Sequence, residues 1–250
     1  MKIKLLVFDI KGFFAHFRKP FSTTSSLSYS FPPRTTVVGV IAAIMGYDRD
    51  SYYKVFSSEK CRIALQVKSP VRHVTNTLNY LMTDKPLTLK KLRGIEGPMP
   101  VHVDMLVSSE RWPAMLHFRV FFNHDDEKLL NGVAEQIRSC RFAYPPYLGT
   151  ANNIAEVEYV DFVDAEVYRV SGEIEAHTLL RVSALTRAYP QHERKIYLED
   201  LVPADFAEDR RLRRGENYIY EGGGRPLRVM VDCEVFRCTL NGERIVGVFM

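Results

Sequence analysis

The residue types best suited to chemistry lie in one loop near the start of the chain, between residues 12 and 36. Basic side chains, hydroxyls and aromatic rings alternate in this loop. Guanidinium and ammonium groups bind phosphates, hydroxyls bind phosphates or 2′-hydroxyls, and rings stack on unpaired bases. The types therefore predict a binding site for single-stranded RNA. The candidate RNA-binding residues are Lys11, His16, Arg18, Lys19, Ser22, Thr23, Thr24, Tyr29, Arg34 and Thr35, with Arg72 and His73 further along the chain.

The same residue types are also found in ribonucleases that need no metal. Such an enzyme requires a general base, a general acid and a cation beside the phosphate. His16 and His73, with the lysines and arginines near them, are candidates for these roles. The more common use of these side chains is to hold a phosphate without cleaving it. Binding without catalysis is therefore the preferred interpretation, and a metal-independent endoribonuclease is the alternative.

Other motifs in the chain favour structural roles. Gly222–Gly224 lacks the Lys-Ser/Thr of a phosphate-binding loop and is predicted to be a hairpin turn. His124 and Asp125 precede a predicted helix and favour capping over metal binding. His102 and Asp104 lack further ligands nearby. The four cysteines are too scattered for a disulfide framework or a zinc knuckle. We therefore expect no metal and no cofactor.

Charge is distributed unevenly along the chain. Residues 1–93 contain 16 Lys or Arg and 5 Asp or Glu, whereas residues 94–250 contain 18 and 25. Such asymmetry predicts a polyanionic partner for the basic part. A third interpretation is that the basic part docks an acidic protein. The 46% hydrophobic and 26% charged composition is that of a globular protein. No membrane-length apolar run or signal peptide is visible, so we expect a cytoplasmic protein.

The hydrophobic periodicity predicts an α+β fold. The predicted strands are Met1 to Ile10, Arg62 to Lys68, Met115 to Phe122 and Ala155 to Tyr168, and the predicted helices are Val37 to Met45 and the segment after Asp126. Thr35 or Thr36 is expected to cap the first helix, and Gly46 to end it. The chain loses periodicity between Pro70 and Pro113. The resulting β-α-β, excursion, β-α-β order is that of a ferredoxin-like, RRM-like domain over residues 1–168. Short strands predict a small β-rich region over residues 169–250.

The N-terminal segment also resembles a known family. The resemblance is carried by Gly12-x-x-Ala15-x-Phe17-Arg18, Thr23, Ser28-Tyr29 and Pro32-Pro33-Arg34-Thr35-Thr36-Val37-x-Gly39-x-x-Ala42-Ala43-Ile44-x-Gly46. This pattern is similar to the signature of the fifth CRISPR-associated (Cas) family, a RAMP-superfamily subunit of the type I interference complex Cascade. Tyr147-Leu148-Gly149 resembles a second marker of that family. The chain is most similar to the subtype I-B members.

The resemblance implies both a fold and a function. It implies a ferredoxin-like domain with a protruding β-hairpin thumb, at the position of the excursion from His73 to Arg111. The basic thumb residues would be Lys85, Lys90, Lys91 and Arg93. It implies that the protein binds the 5′ handle of the crRNA and caps the Cascade backbone filament in antiviral defence. Its partners would be the backbone subunits, the large subunit and, indirectly, target DNA. One branch, in subtype I-C, cleaves the precursor crRNA, but its catalytic Tyr-Lys-His set does not align with this chain.

Overall fold

The computed structural model describes residues 1–22, 26–80, 99–189 and 194–250. Within these ranges the chain is mostly β, with two α-helices and one 3₁₀ turn at Val182–Ala184. The elements are β1 (Lys2–Gly12), β2 (Phe17–Arg18), β3 (Ser28–Tyr29), α1 (Arg34–Met45), β4 (Cys61–Val67), β5 (Val71–Tyr80), β6 (Met99–Ser108), β7 (Leu116–His124), α2 (Glu127–Arg138), β8 (Glu156–Ala176), β9 (Leu180–Arg181), β10 (Leu185–Ala188), β11 (Ile196–Phe206), β12 (Leu212–Glu221), β13 (Leu227–Leu240) and β14 (Glu243–Gly247). No helix in the described ranges is long and apolar enough to cross a membrane.

The main sheet has the strand order β10-β13-β8-β1-β7-β4, with β14 also paired to β13, and every pairing is antiparallel. β1 lies inside this sheet, and its apolar run is buried on both faces. Leu6 and Phe8 pack into the core that contains α1 and α2. Leu5 and Val7 point to the opposite face, against Phe236 of β13. Because alternate side chains of β1 point to opposite faces of the sheet, this strand contributes residues to both cores.

Helix α1 is buried nearly all round, as its apolar sequence predicts. Gly46 ends it with a φ of +79°, which confirms the expected left-handed C-terminal residue. Its start differs from the prediction. The helix begins at Arg34, with Pro33 at the N-cap and no side-chain hydrogen bond to the first turn. The Pro33 carbonyl accepts hydrogen bonds from the backbone N–H groups of Thr36 and Val37, so the two threonines lie inside the first turn.

Helix α2 matches its sequence pattern closely. The Asp126 carboxylate accepts hydrogen bonds from the backbone N–H groups of Lys128 and Leu129, so the cap lies one residue after the His124-Asp125 pair to which the sequence assigns it. The buried residues are those spaced for one helix face, namely Leu130, Val133, Ala134 and Ile137.

Residues 71–108 form a two-stranded antiparallel hairpin where the structure describes them. β5 and β6 pair continuously, from Val71 opposite Ser108 to Tyr80 opposite Met99. The sequence shows no clear period here because β5 is exposed along most of its length. The four basic thumb residues Lys85, Lys90, Lys91 and Arg93 lie outside the described residues, as do Thr23 and Thr24.

Strands after residue 168 extend the main sheet and build a second one. β8 continues through residue 168; its first half pairs with β1, and the part from Ala165 to Ala176 pairs with β13. The separation of 1–168 and 169–250 into two units stays a prediction. β11, β12 and β9 form a three-stranded sheet that contacts α1. Gly222–Gly224 is not the predicted hairpin turn, because the strands it connects, β12 and β13, belong to different sheets.

Candidate nucleic-acid interface

A cavity of about 520 Å³ opens at the N-terminal end of α1. We call it the α1 groove. It is lined by Phe17, Arg18, Pro20, Pro33, Thr35, Thr36, Gly39, Val40, Ala43, Tyr52, Tyr53, Pro146, Tyr147, Gly149, Pro203, Phe206, Arg210 and Leu212. These residues come from the loop around β2, from α1, from the segment after it, from the turn at residues 146–149 and from β11 and β12. The groove is therefore assembled from both ends of the chain.

The floor of the groove is one side of α1, formed by Thr35 and Thr36 in the first turn and then by Gly39, Val40 and Ala43. The first N–H groups of any α-helix have no partner within the helix, and the helix dipole makes this end positive. No side chain caps them here, and no acidic residue lies in the first turn. Thr35 and Thr36 place two hydroxyls beside these groups. The floor is suited to an anion such as a phosphate.

Aromatic rings form one wall of the groove. The ring centroids of Tyr52 and Tyr53 lie 4.9 Å apart, and Phe206 meets Tyr53 edge-on at 5.9 Å. Burial raises the pKa of Tyr53 well above its usual value, and a hydrogen bond to Asp50 adds to this effect. The Tyr53 hydroxyl therefore stays protonated at neutral pH. Tyr147 is 44% exposed at the rim. Rings with an open face of this kind can stack on bases.

Two arginines lie at the groove. Arg210 is held by Asp50, with 3.4 Å between Nε and Oδ1. Arg18 is exposed and makes no side-chain hydrogen bond or ion pair with the described residues. Because its guanidinium is not neutralised by those residues, Arg18 is the better placed of the two to bind a phosphate.

Lys19 and Tyr29 do not reach the groove, although the sequence predicts both as RNA contacts. The Lys19 ammonium lies 2.6 Å from the buried Glu199 carboxylate and 5.0 Å from the centre of the Tyr29 ring. Tyr29 is fully buried, and its hydroxyl donates to the Leu201 carbonyl at 2.7 Å. Burial, with Glu199 and Asp200 nearby, raises the pKa of Tyr29 to about 12. The burial of the ring does not favour the expected stacking role, which stays a prediction, because a buried ring has no open face for a base.

Arg34 is also an interior residue. Its side chain is almost completely buried, and Nη1 donates to Asp205 Oδ1 at 2.8 Å. Nη2 donates to the carbonyl oxygens of Phe56 and Cys61 at 3.0 and 3.1 Å. The guanidinium therefore joins the start of α1 to β4 and β11. These partners occupy the donors inside the protein and do not favour a phosphate contact, which stays a prediction for Arg34.

The two candidate histidines bind protein groups through both ring nitrogens. His16 is buried; Nδ1 donates to the Asp104 carbonyl at 2.8 Å, and Nε2 lies 2.9 Å from the Ser26 hydroxyl. His73 joins the hairpin to the core, with Nδ1 2.7 Å from the Asp104 carboxylate and Nε2 3.0 Å from the Ser30 hydroxyl. Neither histidine lines the α1 groove.

The remaining candidates have different surroundings. Lys11 pairs with Glu158 on the neighbouring strand β8. The Ser22 hydroxyl donates to the Lys19 carbonyl at 2.9 Å and stabilises a turn. Arg72 is exposed on β5, away from the groove. Of the twelve predicted RNA contacts, the described groove thus brings together Arg18 and Thr35.

Several groove residues were not predicted from the sequence. Tyr52, Tyr53, Phe206 and Arg210 have no spacing that links them to the basic loop. Tyr147 belongs to the second family marker, and this is the one signal that could have assigned it to the site. The adjacent Gly149 has a φ of +87°, and a Cβ atom there would lie 1.9 Å from the His16 carbonyl oxygen. Only glycine allows this turn to approach the loop so closely.

Proteins of similar fold belong to CRISPR systems. A crystal structure of a CRISPR protein from Archaeoglobus fulgidus superposes with a TM-score of 0.52, at 14% identity over 99% of both chains. A chain of a CRISPR RNA-guided surveillance complex has a TM-score of 0.50, at 13% identity over 90% of this chain and 91% of that one. No curated protein matches the sequence. The fold is that of CRISPR-associated proteins.

The sequence itself defines the family. Residues 5–219 match the family described as CRISPR-associated protein (Cas_Cas5). The chain therefore belongs to the Cas5 family of CRISPR-associated proteins. This confirms the family that the N-terminal signature resembles, whereas subtype I-B stays a prediction.

Proposed function

We propose that this protein is a non-catalytic subunit of a Cascade-type CRISPR effector complex that binds the 5′ handle of the crRNA in the α1 groove and caps the backbone filament. Membership of the Cas5 family supports the place in the complex. The similar fold of a chain from an RNA-guided surveillance complex supports it further. Contacts with the backbone and large subunits, and indirectly with target DNA, belong to the same proposal.

We further propose that β1, α1, β4, β7, α2 and β8 form a ferredoxin-like core. Their chain order is β-α-β-β-α-β. In the sheet they are ordered β8-β1-β7-β4, so that the first and third strands of the motif lie in the middle. Both helices pack on the same face, against Phe8 and its neighbours. The hairpin β5–β6 is inserted between the second and third strands, where the thumb of the family is expected.

The observation that carries the RNA-binding proposal is the position of Arg18. Its guanidinium has no described carboxylate partner, and Arg18 lines the same cavity as Thr35 in the first turn of α1 and Tyr147. A helix N-terminus and a guanidinium can bind a phosphate, and an exposed aromatic ring can stack on a base, so the cavity contains groups suited to both parts of a nucleotide. The excess of basic residues within residues 1–93 adds a favourable long-range field.

Binding without cleavage is supported by the surroundings of the histidines. A general base needs an imidazole nitrogen that can reach the 2′-hydroxyl. His16 and His73 engage protein groups through both nitrogens and lie outside the groove. The groove supplies charge, hydroxyls and rings, which suffice to hold RNA.

The proposal is tested by RNA binding of an Arg18→Ala variant. A charge-assisted hydrogen bond contributes roughly 1.5–3 kcal/mol, so we expect affinity for labelled handle RNA to fall at least about tenfold. Arg111→Ala is the matched control, because Arg111 is also exposed but lies outside the groove. Fluorescence anisotropy at several salt concentrations measures both variants. Equal affinities for the two variants would contradict the proposed site.

Two measurements on the wild-type protein separate this proposal from an endoribonuclease and from a protein-binding module. Cleavage of repeat RNA by the wild-type protein in EDTA would show a metal-independent endoribonuclease and overturn the non-catalytic assignment. Affinity that does not change with salt would mean that the basic residues serve a protein partner, since phosphate contacts release counterions and weaken as salt rises.

A further inference from the structure

The outer edge of β5 has no partner within the described residues. β5 pairs with β6 in one unbroken register without a bulge. On β6 the even-numbered residues bond away from the hairpin, since Leu106 exchanges two hydrogen bonds with Ala15 and the Asp104 N–H donates to Ser26. Antiparallel strands alternate the direction of their backbone groups. The residues opposite them, at positions 71, 73, 75, 77 and 79 of β5, therefore direct N–H and C=O groups outward.

The other edge of the hairpin, along β6, is protected, in contrast to the edge along β5. Ala15 and Ser26 cover β6, and Pro100 removes one of its outward N–H groups. Proteins usually protect an exposed edge with proline, charge, a bulge or a covering segment. From His73 to Tyr80, β5 has no proline, lysine or arginine. A two-stranded ribbon is also marginally stable by itself, and residues 72–77 of β5 are all exposed.

We propose that the open edge of β5 binds an extended segment of a neighbouring protein subunit, which adds a third strand to the hairpin. Along this edge N–H donors and C=O acceptors recur at every second residue. An extended polypeptide matches both groups, which is the basis of recognition by strand addition. RNA phosphates accept hydrogen bonds but donate none, and the RNA groups that can donate, the 2′-hydroxyls and base N–H groups, are not arranged in the alternating pattern of a strand edge. The lack of cations between His73 and Tyr80 also favours protein over RNA.

The side chains of the hairpin specify the chemistry of the added strand. Val74 and Tyr80 are 39% and 49% exposed and share one face with Leu78, while Thr75 and Thr77 occupy the other. Alternate side chains of a strand point to opposite faces. The partner segment should therefore alternate between apolar residues, on the Val74 face, and polar residues, on the threonine face.

This inference rests on the proposed membership in an effector complex and does not require RNA in the α1 groove. Hydrogen exchange at the amides of Thr75 and Thr77 tests it directly. The isolated chain is compared with the complex obtained by co-expression with the other subunits of its own effector complex and the crRNA. We expect fast exchange in the isolated chain and at least about tenfold slower exchange in the complex, because a paired amide exchanges only after local opening.

A pair of variants provides a second test. Thr75→Pro/Thr77→Pro removes two outward N–H groups at positions where an edge strand tolerates proline. Thr75→Val/Thr77→Val keeps the N–H groups and is the matched control. The proline variant should fail to enter the complex, whereas the valine variant should assemble. Both isolated proteins should bind handle RNA with wild-type affinity, which separates a failure of strand addition from a failure of the proposed RNA-binding function.

Several outcomes would overturn the proposal. Slow exchange at Thr75 and Thr77 in the isolated chain would mean that the edge is already covered by this chain or by a second copy, which sedimentation of the sample would distinguish. Fast exchange in the complex, or normal assembly of the proline variant, would show that the subunits meet elsewhere.

Discussion

Replacing Arg34 with alanine should destabilise the protein without changing the RNA affinity of the folded molecules. Arg34 is 1% exposed, and its guanidinium is held by Asp205, by the Ala204 carbonyl and by the carbonyls of Phe56 and Cys61. Alanine removes all of these contacts and leaves a cavity. Asp205 would lose its closest cationic partner, and three carbonyls would each lose one donor, although the Phe56 carbonyl would keep the Cys61 thiol at 3.1 Å.

The expected loss of unfolding free energy depends on the contacts that Asp205 keeps in the variant. Removing one partner of a buried ion pair costs about 3–5 kcal/mol, chiefly because the other charge stays buried. Asp205 keeps the Ser58 backbone N–H at 3.1 Å and the Ser58 hydroxyl, so part of its charge remains compensated. We therefore expect a loss near the lower limit, about 3 kcal/mol. Arg18→Ala should change stability by less than about 0.5 kcal/mol, because Arg18 is exposed.

Urea unfolding followed by far-ultraviolet circular dichroism measures this difference. The single tryptophan is an unsuitable reporter because Trp112 is 71% exposed in the folded protein. RNA anisotropy is then measured without urea, with concentrations corrected for the folded fraction. Asp205→Ala and the double variant complete a mutant cycle, which isolates the energy of the pair.

We expect opposite behaviour of these two arginines, although both belong to the basic segment of residues 12–36. Arg34→Ala should lower the unfolding midpoint and keep the affinity, whereas Arg18→Ala should keep the midpoint and lower the affinity. If Arg34→Ala unfolded at the wild-type urea concentration and bound RNA tenfold more weakly, the interior role of Arg34 would be wrong.

Two further predictions concern stability. Burial alone would raise the pKa of Asp9, but hydrogen bonds from Arg119 and His117 outweigh it and lower the pKa to about 2. Because this pKa lies below that of Asp9 in the unfolded chain, ionised Asp9 stabilises the folded protein above about pH 4, and this stabilisation is lost as the pH falls toward 2. Asp9→Asn should therefore lower the free energy of unfolding in urea by roughly 2 kcal/mol at pH 7 and by little near pH 2. Gly224 and Gly242 have φ values of +79° and +81°, but a Cβ atom would lie 2.6 Å from the Val67 carbonyl at Gly224 and would meet nothing within 4 Å at Gly242. Gly242→Ala should therefore cost about 1–2 kcal/mol from backbone strain alone, and Gly224→Ala clearly more. Equal losses for these two variants would show that the loop does not press on β4.

Local patterns predicted the elements that bury one regular face. The Asp126 cap and the spacing from Leu130 to Ile137 specify α2, and the apolar run of β1 specifies a strand inside the sheet. The hairpin β5–β6 was predicted only as an aperiodic excursion. Its β5 strand is exposed and has no core that would select apolar residues at every second position.

The function of individual loop residues was not predictable from local sequence. Arg18, Lys19 and Arg34 all have basic side chains and belong to the same segment of residues 12–36, yet their surroundings differ. Lys19 is neutralised by Glu199 and Arg34 by Asp205, both on β11. Arg18 alone of the three lacks such a partner among the described residues. A basic residue of this segment stays exposed or is neutralised inside the protein depending on β11, which lies 171 to 180 positions later for the two neutralised residues, and no short window of sequence contains both partners.

The contacts of Arg34 and Lys19 with β11 also set a condition on biosynthesis. A nascent chain that has reached residue 168 contains the whole basic loop but not the carboxylates of Glu199 and Asp205, nor the groove residues Pro203 and Phe206. Its guanidinium and ammonium groups are then still exposed to solvent or to any polyanion near the ribosome. The proposed crRNA site is completed only when β11 has left the ribosomal tunnel. The proposed RNA site is therefore a property of the nearly full-length chain, and the first 168 residues alone would carry its positive charges without its shape.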